Sequence, residues 1–172
     1  MKRLLFMAFF AFLGGSCGKT VEGFDMSYRR QFNIDIGLNT FLSHNFKFND
    51  ILPDTAAFFQ LNNSNSSQVT RIEPRAMSFR ALFSSNAVPY SFINRLEVFI
   101  SDPSRPNLPE QVIFYRDDVP LNAGNQIDLV PNNVDVRPYI FEGKKFSIRV
   151  NIQLRETPQR SIETQWDASF LP

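Results

Sequence analysis

The alternation of apolar and polar residues is the dominant pattern in this chain. A period of two residues is typical of a strand that buries one of its faces. The longest such run covers residues 146–154, where Phe, Ile, Val, Ile and Leu alternate with polar residues. The same pattern predicts strands at 32–38, 77–83, 96–100 and 162–170. Shorter β candidates lie at 111–116 and 126–130. The body of the chain is therefore predicted to be rich in β-structure.

The last two predicted strands are expected to form an antiparallel hairpin. A turn at 156–160 places Val150 opposite Trp166, so that apolar side chains face each other. The same register places Arg149 opposite Asp167, and such cross-strand pairs stabilise antiparallel strands. A shift by one residue would turn one apolar face toward water.

Helix is predicted in only two short places. The segment 54–60 follows Pro53 and precedes turn-forming residues, and a single helical turn fits within 134–141. The three prolines at 101–109 remove hydrogen-bond donors that a central strand needs. We therefore expect an all-β fold, an immunoglobulin-like two-sheet antiparallel β-sandwich with one or two short helical turns. A small barrel is the alternative.

A different pattern occupies the N-terminus. Lys2 and Arg3 precede an apolar run at 4–13, and small residues at 14–16 precede Cys17, the single cysteine of the chain. A basic start, a short apolar core and small residues before a cleavage point are the parts of a secretory signal. The apolar run is about half of the roughly 20 residues that a transmembrane helix needs.

Because Cys17 follows the small residues directly, the segment 1–17 resembles a bacterial lipoprotein signal. The resemblance implies that residues 1–16 are removed, that Cys17 carries lipid, and that 17–25 form a short tether. Residues 26–172 then form a single β-sandwich domain. Gly18 after the cysteine implies an outer-membrane anchor by the rule of that family, with the domain on the periplasmic or the cell-surface side. A plain secretory signal cleaved near Ser16 is the alternative.

The order of elements across 26–172 is similar to that of small β-sandwich lipoproteins of Gram-negative envelopes. The stretches that carry this resemblance are 72–75, 115–122 and 146–158. Most proteins of this kind have no assigned activity, so the resemblance implies no site residues.

Charge and composition exclude several classes of function. Removal of 1–16 takes two of the 18 basic residues and leaves all 17 acidic ones. This balance argues against a nucleic-acid partner, which requires a basic surface. His44 is the only histidine, which excludes a His-rich zinc site, and no Gly-x-Ser-x-Gly elbow presents a serine nucleophile. The Asp and Asn residues at 117–128 lack the spacing of a calcium loop. We expect no catalytic residues, no metal site, no cofactor and no enzymatic activity.

Four aromatic residues depart from simple alternation: Phe58 and Phe59 are adjacent, Tyr90 follows Pro89, and Phe99 occupies the polar side of its strand. They are candidate partner-binding residues, because exposed aromatic rings mark contact surfaces. Packing between two sheets is the alternative. The expected function is a lipid-anchored, non-catalytic accessory or scaffold subunit of an outer-membrane protein complex. A carbohydrate- or ligand-binding surface lipoprotein associated with nutrient uptake is the second hypothesis.

Overall fold

A computed structural model describes residues 25–61, 63, 65–82 and 90–171. The predicted signal at 1–16, Cys17 and most of the predicted tether lie outside the described residues. Among the described residues, no helix combines the length and the apolar character needed to cross a membrane.

Strands dominate the described part of the chain, which confirms the expectation of an all-β, antiparallel fold. The strands are β1 (Met26–Ile34), β2 (His44–Ile51), β3 (Glu73–Ala81), β4 (Ile93–Ser101), β5 (Gln111–Arg116), β6 (Gln126–Pro131), β7 (Phe146–Leu154) and β8 (Ile162–Leu171). Three short helical segments join them: α1 (Thr55–Leu61), a 3-10 turn at Tyr90–Phe92, and α2 (Arg137–Ile140). Both predicted helical segments are confirmed, α1 with its ends shifted by one residue.

The strands form one antiparallel sheet in the order β1-β8-β3-β6-β5-β4-β7-β2. The sheet curves so that its two end strands meet through aromatic side chains. The ring of Phe32 on β1 lies 4.6 Å from that of Phe46 and 5.7 Å from that of Phe48, both on β2. The result is a nearly closed barrel. An immunoglobulin-like division into two sheets is not confirmed, because β5 pairs with β6 and makes the sheet continuous.

The predicted hairpin between the last two strands is wrong. Strand β7 pairs with β2 and β4, with Val150 opposite Val98, and β8 pairs with β1 and β3, with Trp166 opposite Phe79. The connection 155–161 therefore joins two separate parts of the sheet. Alternation identifies which side chains point inward but not which strand lies alongside. Two strands show the same alternation of apolar and polar residues whether they pair side by side or face each other across the core.

The first predicted strand was also displaced. It was expected at 32–38, whereas β1 ends at Ile34, and β2 was not predicted. Three consecutive polar residues at 29–31 interrupt the alternation of β1, and β2 buries only its last residue fully. Gly37, with a φ of 82°, adopts the left-handed conformation that favours glycine and continues the chain into a loop.

The core fills the inside of the curved sheet with large side chains. The largest ones that are fully buried are Trp166, Tyr90, Tyr139, Phe58, Phe79, Phe114, Phe146 and Phe170. Because neighbouring strands alternate in direction, the connections after β1, β3, β5 and β7 lie at one end of the barrel, here called the upper end. The connections after β2, β4 and β6, the start of β1 and the end of β8 lie at the lower end.

Candidate functional site

The connection between β1 and β2 presents an unusual group of apolar side chains at the upper end of the barrel. In this segment, residues 35–43 and here called the apolar loop, Phe41 is 95% exposed, Leu42 65% and Ile36 63%. Single exposed apolar residues are common on protein surfaces and need no explanation. Three large ones within seven residues form a local patch, and such patches mark interaction sites.

The backbone of the apolar loop is held by hydrogen bonds. The Asn39 side-chain oxygen accepts from the backbone N–H of Phe41 at 3.1 Å and of Leu42 at 2.9 Å, which is the geometry of an Asx turn. His44 Nε2 donates to the carbonyl oxygen of Asn39 at 2.8 Å. The exposed side chains of the apolar loop therefore project from a constrained backbone. Less conformational entropy is lost on binding when a segment is already ordered.

The apolar loop lies far from the point where the chain enters the domain. Strand β1 has nine residues and spans about 30 Å at roughly 3.4 Å per residue. Met26 starts this strand at the lower end, and the apolar loop follows its other end. The start of β1 and the apolar loop are thus at opposite ends of the barrel.

Two of the four aromatic candidates belong to the core. Phe58 is buried on α1 and stacks edge-on with Phe59, at a centroid distance of 5.5 Å. Tyr90 is buried, and its hydroxyl donates to Thr164 Oγ1 at 3.0 Å. Burial raises the pKa of Tyr90 to about 12, although the hydrogen bond to Thr164 acts to lower it. Both side chains pack in the core.

Phe99 and Phe59 are each half-buried. Phe99 lies on the outer face of β4, where the guanidinium carbon of Arg149 sits 3.8 Å from its ring centroid, a cation–π contact. Glu110 holds Arg149 through both carboxylate oxygens, at 2.9 and 2.5 Å, and this hydrogen bonding raises the pKa of Arg149. On the polar side of its strand, the ring of Phe99 thus stacks against Arg149 of the same protein. Contact with a partner stays a prediction for all four aromatic residues.

The structure does not bring the four aromatic candidates together. Phe58 and Phe59 are on α1 at the lower end, Tyr90 is in the 3-10 turn at the upper end, and Phe99 is on the side of the barrel. They therefore form no common surface, and the apolar loop contains none of them.

Asp102 has a buried carboxylate, and buried acids are candidate catalytic groups. Its Oδ1 accepts from Ser104 N at 2.9 Å and Ser104 Oγ at 2.6 Å, and its Oδ2 accepts from Arg105 Nε at 2.6 Å. Burial acts to raise the pKa of Asp102, but these hydrogen bonds and the charge of Arg105 outweigh it and lower the pKa. A carboxylate this fully engaged serves the fold rather than proton transfer.

Within the described ranges, no group of three or more His, Cys, Asp or Glu side chains is arranged to hold a metal ion. In the segment 117–128, Asp117 forms an ion pair with Arg95 at 2.7 Å, and Asp118 occupies a turn with a φ of 50°.

Sequence reasoning missed the apolar loop. Ile36 was assigned to the inward face of the first predicted strand, but it is exposed beyond the end of β1. Phe41 and Leu42 were not selected at all. The signal that identifies them is the presence of large apolar residues among the turn formers Gly37 and Asn39, where neither strand nor helix periodicity continues.

Comparison of the chain with protein-family models, with curated proteins and with solved structures finds no match. Among the described residues, the apolar loop is the surface feature that packing within the domain explains least.

Proposed function

We propose that this protein is a lipid-anchored, non-catalytic accessory or scaffold subunit of an outer-membrane protein complex, and that it holds its partner protein through the apolar loop. The observation that carries the proposal is the exposure of Phe41 beside Leu42 and Ile36 on a constrained backbone. Full burial of one such side chain is worth about 1.5–3 kcal/mol. Because a few large side chains supply most of the binding energy of an interface, these three suffice as its anchor.

The location of the apolar loop favours a protein partner over the lipid layer that would hold the anchor. In this proposal Cys17 is acylated, and the eight residues 18–25 reach at most about 28 Å. This tether enters the lower end, whereas the apolar loop lies about 30 Å away at the upper end. An upright domain thus presents Phe41 away from the membrane and toward a neighbouring protein.

The immunoglobulin-like sandwich also remains part of the proposal. The sheet consists of two groups of four strands, β1-β8-β3-β6 and β5-β4-β7-β2. The pairing of β5 with β6 that joins them is short, with Phe114 opposite Pro131 and Tyr115 opposite Val130. Two packed layers with one short junction are consistent with a sandwich that has closed partway into a barrel.

Native purification tests the partner. The tagged full-length chain is purified from gently solubilised membranes, and the proteins that accompany it are identified by mass spectrometry. The expected result is a stoichiometric set of outer-membrane proteins that the Phe41→Ser/Leu42→Ser variant loses. Leu52→Ser/Leu61→Ser is the matched control, because these leucines are 65% and 62% exposed but lie toward the lower end. Recovery of the protein alone, or equal capture by both variants, contradicts the proposal.

Membrane fractionation tests the anchor separately. Cys17→Ala removes the only thiol that can carry lipid, so the variant is expected to leave the membrane fraction. The parent chain remains there after a high-salt wash, since its proposed attachment does not depend on charge. A Cys17→Ala chain that stays fully membrane-bound excludes the lipid anchor.

A further inference from the structure

The outer face of strands β1, β8, β3 and β6 carries a shallow trough of about 620 Å³. This volume falls within the range of small-molecule sites, roughly 300–1,000 Å³. The trough exists because its floor is built from small side chains, namely Ser27, Ala76, Ser78 and Ser169. The register places Ser27 opposite Ser169, and Ser169 opposite Ala76, so three neighbouring strands contribute small residues to one row.

The rim of the trough is formed by charged residues in the adjoining rows. Arg29 and Asp167 face each other across β1 and β8 and form an ion pair. Arg75 lies at the irregularity between Pro74 and Ala76 in β3 and pairs with Asp25. These two pairs place fixed guanidinium and carboxylate groups around the floor.

Arg80 and Asp128 belong to the part of the rim on β3 and β6. Both are exposed, and the positive charge of Arg80 acts on nearby Asp167, whose pKa it helps to lower. Ser78 lies opposite Asp128, and Arg80 opposite Gln126, which makes Arg80 and Asp128 diagonal neighbours about 7–8 Å apart at the backbone. Gln126 donates to Asp128 at 2.8 Å and orients this carboxylate. The trough thus has an exposed guanidinium, that of Arg80, beside the oriented carboxylate of Asp128.

The chemistry of the lining selects among ligands. A phosphate would meet the carboxylates of Asp128 and Asp167, and an apolar ligand would find no exposed aromatic ring among the lining residues. A sugar hydroxyl both accepts and donates a hydrogen bond, so adjacent hydroxyls can engage an arginine and a carboxylate together. We propose that this trough binds a neutral sugar ring, with Arg80 donating to its hydroxyls, Asp128 accepting from them, and Ser78 adding a hydroxyl at the floor.

The proposed sugar site is separate from the proposed partner site. It lies on the side of the barrel, and the lining residues include none from the apolar loop. An accessory subunit with this trough would hold a glycan and a protein at the same time. The Phe41→Ser/Leu42→Ser variant is therefore expected to bind sugar like the parent chain, so that either proposal can fail without the other.

A glycan array followed by titration tests the site. The full-length chain, in a detergent without a sugar head group, is applied to an array of neutral and acidic oligosaccharides, and the strongest neutral ligand is then titrated. Ser78→Phe fills the floor and is expected to weaken binding at least about tenfold, or about 1.4 kcal/mol. Asn33→Phe is the control, since Asn33 is an exposed residue of β1 outside the lining. Asp128→Asn removes the acceptor charge with little change in shape and is expected to weaken binding similarly.

Three results would overturn the site. One is the absence of any neutral oligosaccharide with a Kd below about 1 mM. Another is binding confined to acidic oligosaccharides, which would assign Arg80 to a carboxylate instead. The third is a sugar affinity that neither Ser78→Phe nor Asp128→Asn changes when both variants retain the far-ultraviolet circular dichroism of the parent.

Discussion

At the lower end of the barrel, the buried carboxylate of Asp102 pairs with the partly exposed guanidinium of Arg105. Asp102 accepts two hydrogen bonds from Ser104 and one from Arg105, and its side chain is fully buried. Arg105 also donates to the carbonyl oxygen of Pro138 and pairs with Glu142 at 3.4 Å. Asp102 thereby ties the connection after β4 to the segment around α2. Asp102→Asn keeps the shape and one acceptor but removes the charge.

The expected cost follows from the contacts that the substitution changes. Loss of a charge-assisted hydrogen bond is worth about 1.5–3 kcal/mol, and breaking a fully buried pair costs about 3–5 kcal/mol. Arg105 is 31% exposed and keeps Glu142, so the lower range applies. We expect Asp102→Asn to reduce the free energy of unfolding by about 2 kcal/mol.

The assay is urea denaturation followed by the fluorescence of Trp166, the only tryptophan, which is buried in the core. Asp118→Asn serves as the control, because Asp118 is exposed in a turn with a φ of 50° and asparagine tolerates that conformation. A change of less than about 0.5 kcal/mol for Asp102→Asn, within the usual range for surface substitutions, would refute the reasoning.

The pH dependence gives a second readout of the same contact. The folded state lowers the pKa of Asp102 below its ordinary value of 3.8. The stabilisation is therefore complete above that value and is lost as the pH falls through the folded pKa. The difference between the parent chain and Asp102→Asn is expected to shrink below pH 3.8. A difference that stays constant into that acidic range would contradict the assigned contact.

Two further predictions concern close packing. Tyr90→Phe removes the hydrogen bond to Thr164 and is expected to lower the free energy of unfolding, measured by urea denaturation, by about 1 kcal/mol. An alkaline absorbance titration of the parent chain should contain a tyrosine that ionises near pH 12, since burial favours the neutral form. The absence of such a tyrosine would contradict the burial of Tyr90. Gly143→Ala places a methyl carbon 2.5 Å from the carbonyl oxygen of Tyr139 and should cost about 1–3 kcal/mol. Gly124→Ala meets nothing within 4 Å and should leave stability unchanged, so equal effects at the two glycines would refute the packing argument.

The strands with continuous alternation could be predicted closely from sequence. β7 begins and ends where the alternation places it, because a buried face and a solvated face leave a local signal. The alternation within a strand does not indicate which other strand pairs with it. Val150 pairs with Val98 instead of Trp166, since two apolar faces are buried equally well by lateral pairing or by packing across the core.

The candidate sites depend on information that periodicity lacks. Adjacent residues of an extended strand point to opposite faces, but α1 turns the ring of Phe58 inward and leaves Phe59 at the edge of the core. The exposure of Phe41 depends on a loop conformation fixed by Asn39. The floor of the trough joins residues as distant in sequence as Ser27 and Ser169, so only the tertiary register reveals it.

Site-specific photocrosslinking at Phe41 tests the central claim most directly. A photoreactive phenylalanine analogue replaces Phe41 in the full-length chain, and a matched chain carries it at Leu61, exposed at the end of α1. After irradiation of intact cells, the account predicts a discrete adduct with an outer-membrane protein from position 41 and none from position 61. No protein adduct from position 41, or the same adducts from both positions, would contradict the claim that the apolar loop holds a partner.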